Sequence, residues 1–259
     1  MFEVALNFRR YGDAGRDVLV LHGLFGSAKN WHTQASSLAG EFHVLAVDLR
    51  NHGASPHSPR IDYPSMAADV LALMDSQGIE QASILGHSMG GKVAMQIAMQ
   101  TAARVHKLIV VDIAPKRYPP HHDDVLDAMQ ALDFGVHRTR QALDKALSER
   151  IPDAGLRQFI MTNLVRDAKT GAFTWQLNLP AIAADYVRLA AAPEGEPFDG
   201  ATLFIKGAAS DYIHADDRKI IETMFPRARA KVIANAGHWP HAEKPRAFAK
   251  VVADFLRSD

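Results

Sequence analysis

The chain has 259 residues, 47% of them apolar and 22% charged, a balance that permits one large core or two small ones. Lys+Arg and Asp+Glu both total 29, so the net charge is zero and no global field draws the chain to nucleic acid or an anionic membrane; neither is expected as a partner. With no cysteine, disulfides, thiolate nucleophiles and thiolate metal sites are excluded.

The opening MFEVALNFRRYGDAG lacks the long apolar core of a secretory leader, and no apolar run approaches the length of a membrane span. A cytoplasmic location is therefore expected. Strand-like runs then follow at VLVL (18–21) and VLAV (44–47). Pro64 opens a helical pattern to Gln77, since proline suits a first helical turn. ASIL (82–85) and LIVV (108–111) are further strand runs, continuous rather than alternating, as strands buried on both faces require.

From Pro115 to Phe198 the β-rich runs vanish. Val125, Leu126, Met129 and Leu132 form one helical stripe, Ala142, Leu143, Ala146 and Leu147 a second, and Leu156, Phe159, Ile160 and Leu164 a third. Trp175 and Pro180 stand near the segment's return, and PKRYPP and APEGEPFDG bound it. LFI (203–205) and KVI (231–233) resume the strands, and a last helix begins at Pro245 with Phe248, Val251, Val252, Phe255 and Leu256 on one face. The expected fold is α/β, a mainly parallel central sheet flanked by helices. Residues 1–114 and 199–259 would form its core and 115–198 a helical insertion.

Three stretches carry chemistry. In ASILGHSMGGKVAMQIA (82–98) a strand passes into a helix through Gly86-His87-Ser88-Met89-Gly90. A turn that tight thrusts the serine hydroxyl out alone, and the Met89 N–H at the helix start faces any anion forming beside it. VLVLHGLFGS (18–27) ends a strand in a glycine-bearing loop whose Leu24 N–H, with Phe25 next, is the candidate second donor. His238 follows a strand end and precedes the last helix, on a loop where a general base could reach the same sheet edge.

HGLFGS, DLRNHGAS, GHSMGG and AGHWPHAEKP, in that order, resemble the α/β-hydrolase superfamily across the whole chain. VDLRNHGASP, HSMGGK, VDIAP and GHWPHAEKP further resemble small bacterial acyl esterases of the YbfF type, related to the abhydrolase-domain-11 proteins. The resemblance implies a serine carboxylesterase or thioesterase working through an acyl-enzyme, with acyl-CoA among the candidate substrates and no cofactor or metal. Ser88 would be the nucleophile, His238 the base, Leu24 and Met89 the oxyanion hole, with Phe25 and Trp239 beside the substrate and the helical insertion as a cap. Carbon–carbon bond hydrolysis, cofactor-free perhydrolysis and a non-enzymatic small-molecule receptor are the alternatives on the same scaffold.

The acid has two candidates. Most relatives carry it in a strand-Gly-x-x-Asp pattern, but Gly207-Ala208-Ala209 leads here to Ser210, and Asp211 is displaced by one residue, enough to redirect a side chain. Asp112 ends the strand pattern after the serine's helix and would stand beside Ser88. The resembled subgroup places its acid at this Asp of VDIAP, with a serine matching Ser210 nearby as a supporting donor. Asp112 is the expected acid. His121, His122, Asp123 and Asp124 read as a solvated helix start rather than a metal site, because adjacent histidines do not share a helical face. His87 is expected to pack beside the nucleophile, and Asp48, Arg50, Asn51 and His52 to organise their own loop.

Overall fold

The computed structural model describes residues 3–258. Among them β1 (Phe8–Tyr11), β2 (Arg16–Leu21), α1 (His32–Leu38), β3 (Phe42–Val47), α2 (Tyr63–Ser76), β4 (Ala82–His87), α3 (Met89–Gln100) and β5 (Val105–Val111) come first. Then come α4 (Asp123–Gln130), α5 (Arg140–Ser148), α6 (Ala154–Met161), β6 (Leu164–Arg166), β7 (Phe173–Trp175), α7 (Leu179–Ala184) and α8 (Tyr186–Ala190). The chain closes with β8 (Ala201–Gly207), α9 (Arg218–Met224), β9 (Ala228–Ile233), α10 (Pro240–Glu243) and α11 (Pro245–Arg257).

Seven strands stand in the order β1-β3-β2-β4-β5-β8-β9. β1 runs antiparallel to β3, and the other pairings are parallel. The sheet therefore has its apolar runs at the centre: every residue of β4 is buried, and all of β5 but His106. β1 is a strand that apolar runs could not reveal. Its FRRY carries two exposed arginines, a charged rim that discourages edge-to-edge pairing.

The helices cover both faces. On one side α11 buries Phe248, Val252, Phe255 and Leu256 in a cluster with Val18, Val20, Ile109 and Val111 of the sheet. Each such side chain removed from water contributes about 1.5–3 kcal/mol. On the other side α2 and α3 pack beneath the 115–198 segment in one continuous cluster. Asp62 starts α2 by accepting the Ser65 N–H at 2.8 Å, with proline in the first turn. No helix among the described residues is long and apolar enough to cross a membrane.

The segment between β5 and β8 is not wholly helical. Of the three expected stripes, the one on α5 forms whole and the one on α4 forms except for Leu132, which lies past its end at Gln130, whereas α6 stops at Met161 and Leu164 opens a hairpin, paired with Trp175. Local turn chemistry explains the difference. Asp167 accepts the N–H groups of Lys169 and Thr170 at 3.0 and 2.6 Å, and Gly171 takes φ of 70°, which reverses the chain within a few residues.

Candidate active site

Ser88 lies between β4 and α3 with φ of 51° and ψ of −117°, a conformation that L-residues avoid. The flanking glycines are required by contact. A Cβ on Gly86 would lie 2.1 Å from the Gly90 carbonyl oxygen, and one on Gly90 would lie 2.5 Å from the carbonyl oxygens of Leu21 and His22. The Ser88 N–H donates to the Val111 carbonyl at 2.9 Å, tying the turn to the end of β5. Met89 is the first residue of α3, so its N–H is among the donors that a helix leaves unpaired.

The loop after β2 is held by two neutral histidines. His22 donates from Nδ1 to the Gly23 carbonyl at 2.8 Å and accepts the Leu49 N–H on Nε2 at 3.0 Å. His52 donates from Nδ1 to the Arg50 carbonyl at 2.9 Å and accepts the Phe25 N–H on Nε2 at 3.3 Å. Burial pulls both below the ordinary histidine range, His52 to about 3, so each keeps one tautomer. Asn163, just beyond α6, donates to the Phe25 carbonyl at 2.8 Å. The Phe25 N–H is thus already engaged, whereas the Leu24 N–H meets no acceptor among the described residues. The Phe25 ring is 2% exposed and belongs to the core rather than to the cleft described below.

Asp112 stands just past β5, fully buried, with φ of 53°. Its Oδ2 accepts the His238 Nδ1–H at 2.7 Å and the Ser210 hydroxyl, and its Oδ1 accepts the Gly207 N–H at 3.1 Å. A buried carboxylate needs this many partners. Asp211 is exposed and carries no hydrogen bond or ion pair to a described residue. With Nδ1 donating, the lone pair of neutral His238 lies on Nε2. His87 donates from Nε2 to the His238 carbonyl at 2.8 Å, with the two rings 4.7 Å apart. Burial, and then the neighbouring His238 and His241, keep His87 uncharged.

Ser88, Leu24 and Met89 line one cleft with Tyr63, Lys92 and Ile113. The adjoining hollow holds His238 and Ser210, and Tyr118, His121 and Tyr212 line both. The first is narrow, with a cavity volume of about 40 Å³. Lys92 donates to the carbonyls of Ala190 and Ala191 at the end of α8 and lies over the rings of Tyr118 and Tyr63 at 4.8 and 5.4 Å. Burial, with Arg117 and Lys116 adding repulsion, lowers it to about 7. Trp239 lies beside His238, ring centroids 5.6 Å apart, and packs on Phe159 at 5.8 Å.

His121 and His122 turn towards tyrosines rather than a common ligand: His121 Nε2 is 2.7 Å from the Tyr212 hydroxyl and His122 Nδ1 2.7 Å from that of Tyr186. Among the described residues no group of three His, Asp or Glu side chains is placed to hold a metal. Asp48 does organise its loop, accepting the N–H groups of Ala28 and Ala54 at 2.6 and 2.9 Å. Sequence reasoning missed Tyr212, whose ring stacks on His238. It also missed Lys92 and the tyrosines around it, which no motif marks.

This topology, with a serine at a strained strand-to-helix turn and a carboxylate–imidazole pair at the same sheet edge, defines an α/β hydrolase, and the chain belongs to the alpha/beta hydrolase family, whose sequence profile matches residues 18–251. It is 40% identical over 255 residues to the mouse sn-1-specific diacylglycerol lipase ABHD11, covering 95% of this chain and 82% of that one. It is 36% identical to Esterase YbfF of Escherichia coli K12, covering 92% of each chain. Among solved structures, a marine microorganism esterase superposes with a TM-score of 0.95 at 36% identity, covering 98% of this chain and 100% of that one.

Proposed function

We propose that the protein is a serine esterase that cleaves acyl esters through an acyl-enzyme on Ser88. The ester-hydrolase class is supported by relatives named as esterases and lipases over nearly the whole chain. The observation that carries the finer reading is the 2.7 Å contact between Asp112 and His238 Nδ1, made beside the cleft that Ser88 lines.

Ser88 Oγ attacks the acyl carbonyl and His238 Nε2 takes its proton, while Asp112 holds the tautomer and stabilises the imidazolium. The Leu24 and Met89 amides receive the oxyanion; losing one such donor typically costs about 10²–10³ in turnover. His238 returns the proton to the leaving alcohol or thiol, and a water activated by the same base releases the acid. Ser210 supports Asp112 through its hydroxyl. Residues 115–198 act as the cap, a role supported by Tyr118, His121, His122, Tyr186, Leu189 and Ala190 on the cleft wall. No step needs a metal or cofactor.

The test is hydrolysis of p-nitrophenyl esters and acyl-CoA thioesters across acyl lengths by wild type and Ser88→Ala, with a fluorophosphonate probe to label the nucleophile. Turnover and labelling that both vanish in Ser88→Ala are expected. Ester turnover that survives the substitution refutes the reading.

A further inference from the structure

The mechanism above leaves Tyr212 without a role. Its ring lies flat on the His238 imidazole, centroids 3.7 Å apart and planes 14° from parallel. The phenol is fixed from behind: His121 Nδ1 lies 2.9 Å from the Pro119 carbonyl, which can only accept, and in the tautomer with its proton there Nε2 accepts from the Tyr212 hydroxyl at 2.7 Å. The main chain of Tyr212 is held as well. Its N–H donates to Ser210 Oγ at 3.3 Å, and its carbonyl accepts the Tyr118 hydroxyl at 2.6 Å. Burial pushes the Tyr212 phenol up, so it stays neutral.

A neutral aromatic face attracts a cation, and more so out of water. The base of an acyl transfer becomes a cation each time it takes the nucleophile's proton, and a phenol that donates its proton into a hydrogen bond is polarised towards greater electron density. We propose that Tyr212 is a positioning residue for His238: its ring face holds the imidazole against Asp112 and favours the imidazolium, while His121 fixes that ring. The inference rests on the reading of Ser88, His238 and Asp112 as a triad. It ties the competence of the base to the first residues of the 115–198 segment.

The other titratable groups around His238 are Asp112 just past β5, His121, Asp211 and His214 around the same hollow, and then His87 at the end of β4, His241 from α10 and His122 before α4. Burial keeps these last three histidines neutral, and Asp112 is the carboxylate bonded to the imidazole that the ring covers.

Two measurements separate this inference from the triad reading. In Ser88→Ala, NMR titration of His238 needs no turnover. Tyr212→Leu, and ring-fluorinated phenylalanines of nearly unchanged size at position 212, are expected to lower its midpoint by roughly 0.5–1.5 pH units, while Tyr212→Phe restores most of the shift. In otherwise wild-type enzyme, kcat of Tyr212→Leu falls about 3–30-fold with little change in KM, and the acid limb of the rate profile moves to lower pH.

An unmoved midpoint in both Tyr212→Leu and the fluorinated series overturns the inference. So does a loss in Tyr212→Phe as large as in Tyr212→Leu, which would assign the effect to the hydroxyl. If wild type turns over no ester while the midpoint moves as expected, the triad reading fails and the ring–imidazole coupling stands.

Discussion

Replacing Asp112 by asparagine puts an amide where two hydrogen-bond demands differ. Oδ2 receives the His238 Nδ1–H and the Ser210 hydroxyl, whereas Oδ1 receives the Gly207 N–H. If the new NH2 took the Oδ1 place it would face a main-chain N–H that cannot turn away, leaving a buried donor unpaired at about 1–3 kcal/mol. In the Oδ2 place it faces groups that adapt: the Ser210 hydroxyl rotates and His238 moves its proton to Nε2. The second arrangement wins, and it leaves the base with a proton where it needs a lone pair. The expected loss in kcat is roughly 10⁴-fold, about 5 kcal/mol of barrier, in a protein that stays folded. Asp211→Asn, at an exposed residue with no hydrogen-bond or ion-pair partner among the described residues, should stay within about twofold. The assay is p-nitrophenyl butyrate hydrolysis, with circular dichroism as the check on folding. An Asp112→Asn enzyme that keeps a tenth of wild-type kcat, or an inactive but folded Asp211→Asn, refutes the assignment.

Two further outcomes follow from the packing. His241 is stacked on Trp31 at 4.3 Å with Nδ1 buried and without a hydrogen-bond partner among the described residues, and burial lowers its pKa from 6.5 to about 3. Between those values the unfolded chain binds the extra proton, so this stability is present above pH about 6.5 and drains away towards pH 3. His241→Phe removes both the linkage and the unpaired atom, and its melting temperature should exceed that of wild type by more at pH 5 than at pH 8; the opposite ordering would count against the burial argument. Gly86→Ala, with its Cβ 2.1 Å from the Gly90 carbonyl oxygen, must displace main chain and should cost several kcal/mol, read as a collapsed denaturant midpoint. A wild-type midpoint would mean that the turn is looser than these distances say.

What could be read in the sequence depended on the range of the interaction. β4 and β5 announce themselves because burial on both faces demands an unbroken apolar run, and α11 because one face meets the sheet. β1 and the hairpin did not: FRRY has no apolar run, and three-residue strands leave no periodic trace. In the site, GHSMG and the histidine after the last strand are local patterns. Asp112 was legible through topology, since a strand end beside the nucleophile's strand can supply a carboxylate, and Ser210 meets that carboxylate as the resemblance implied. The grip of His52 on Phe25, of Asn163 on the same residue and of Tyr212 on His238 joins segments far apart in the chain. No spacing rule encodes such contacts, because each depends on where the finished sheet brings its loops.

Rooting the carboxylate in β5 has a consequence for how this molecule can be changed. The strand before Ser88 and the one before Asp112 are hydrogen-bonded neighbours, locked further by the Ser88 N–H on Val111, while the Asp112 N–H on Ile205 ties the carboxylate's residue to β8. The loop after β8 is thereby relieved of carrying the carboxylate and offers Asp112 a hydroxyl and His238 a ring. For a protein engineer this separates two jobs: residues 208–214 can be redrawn to reshape the mouth of the cleft, provided Ser210 and Tyr212 are kept, without moving the carboxylate that the imidazole leans on.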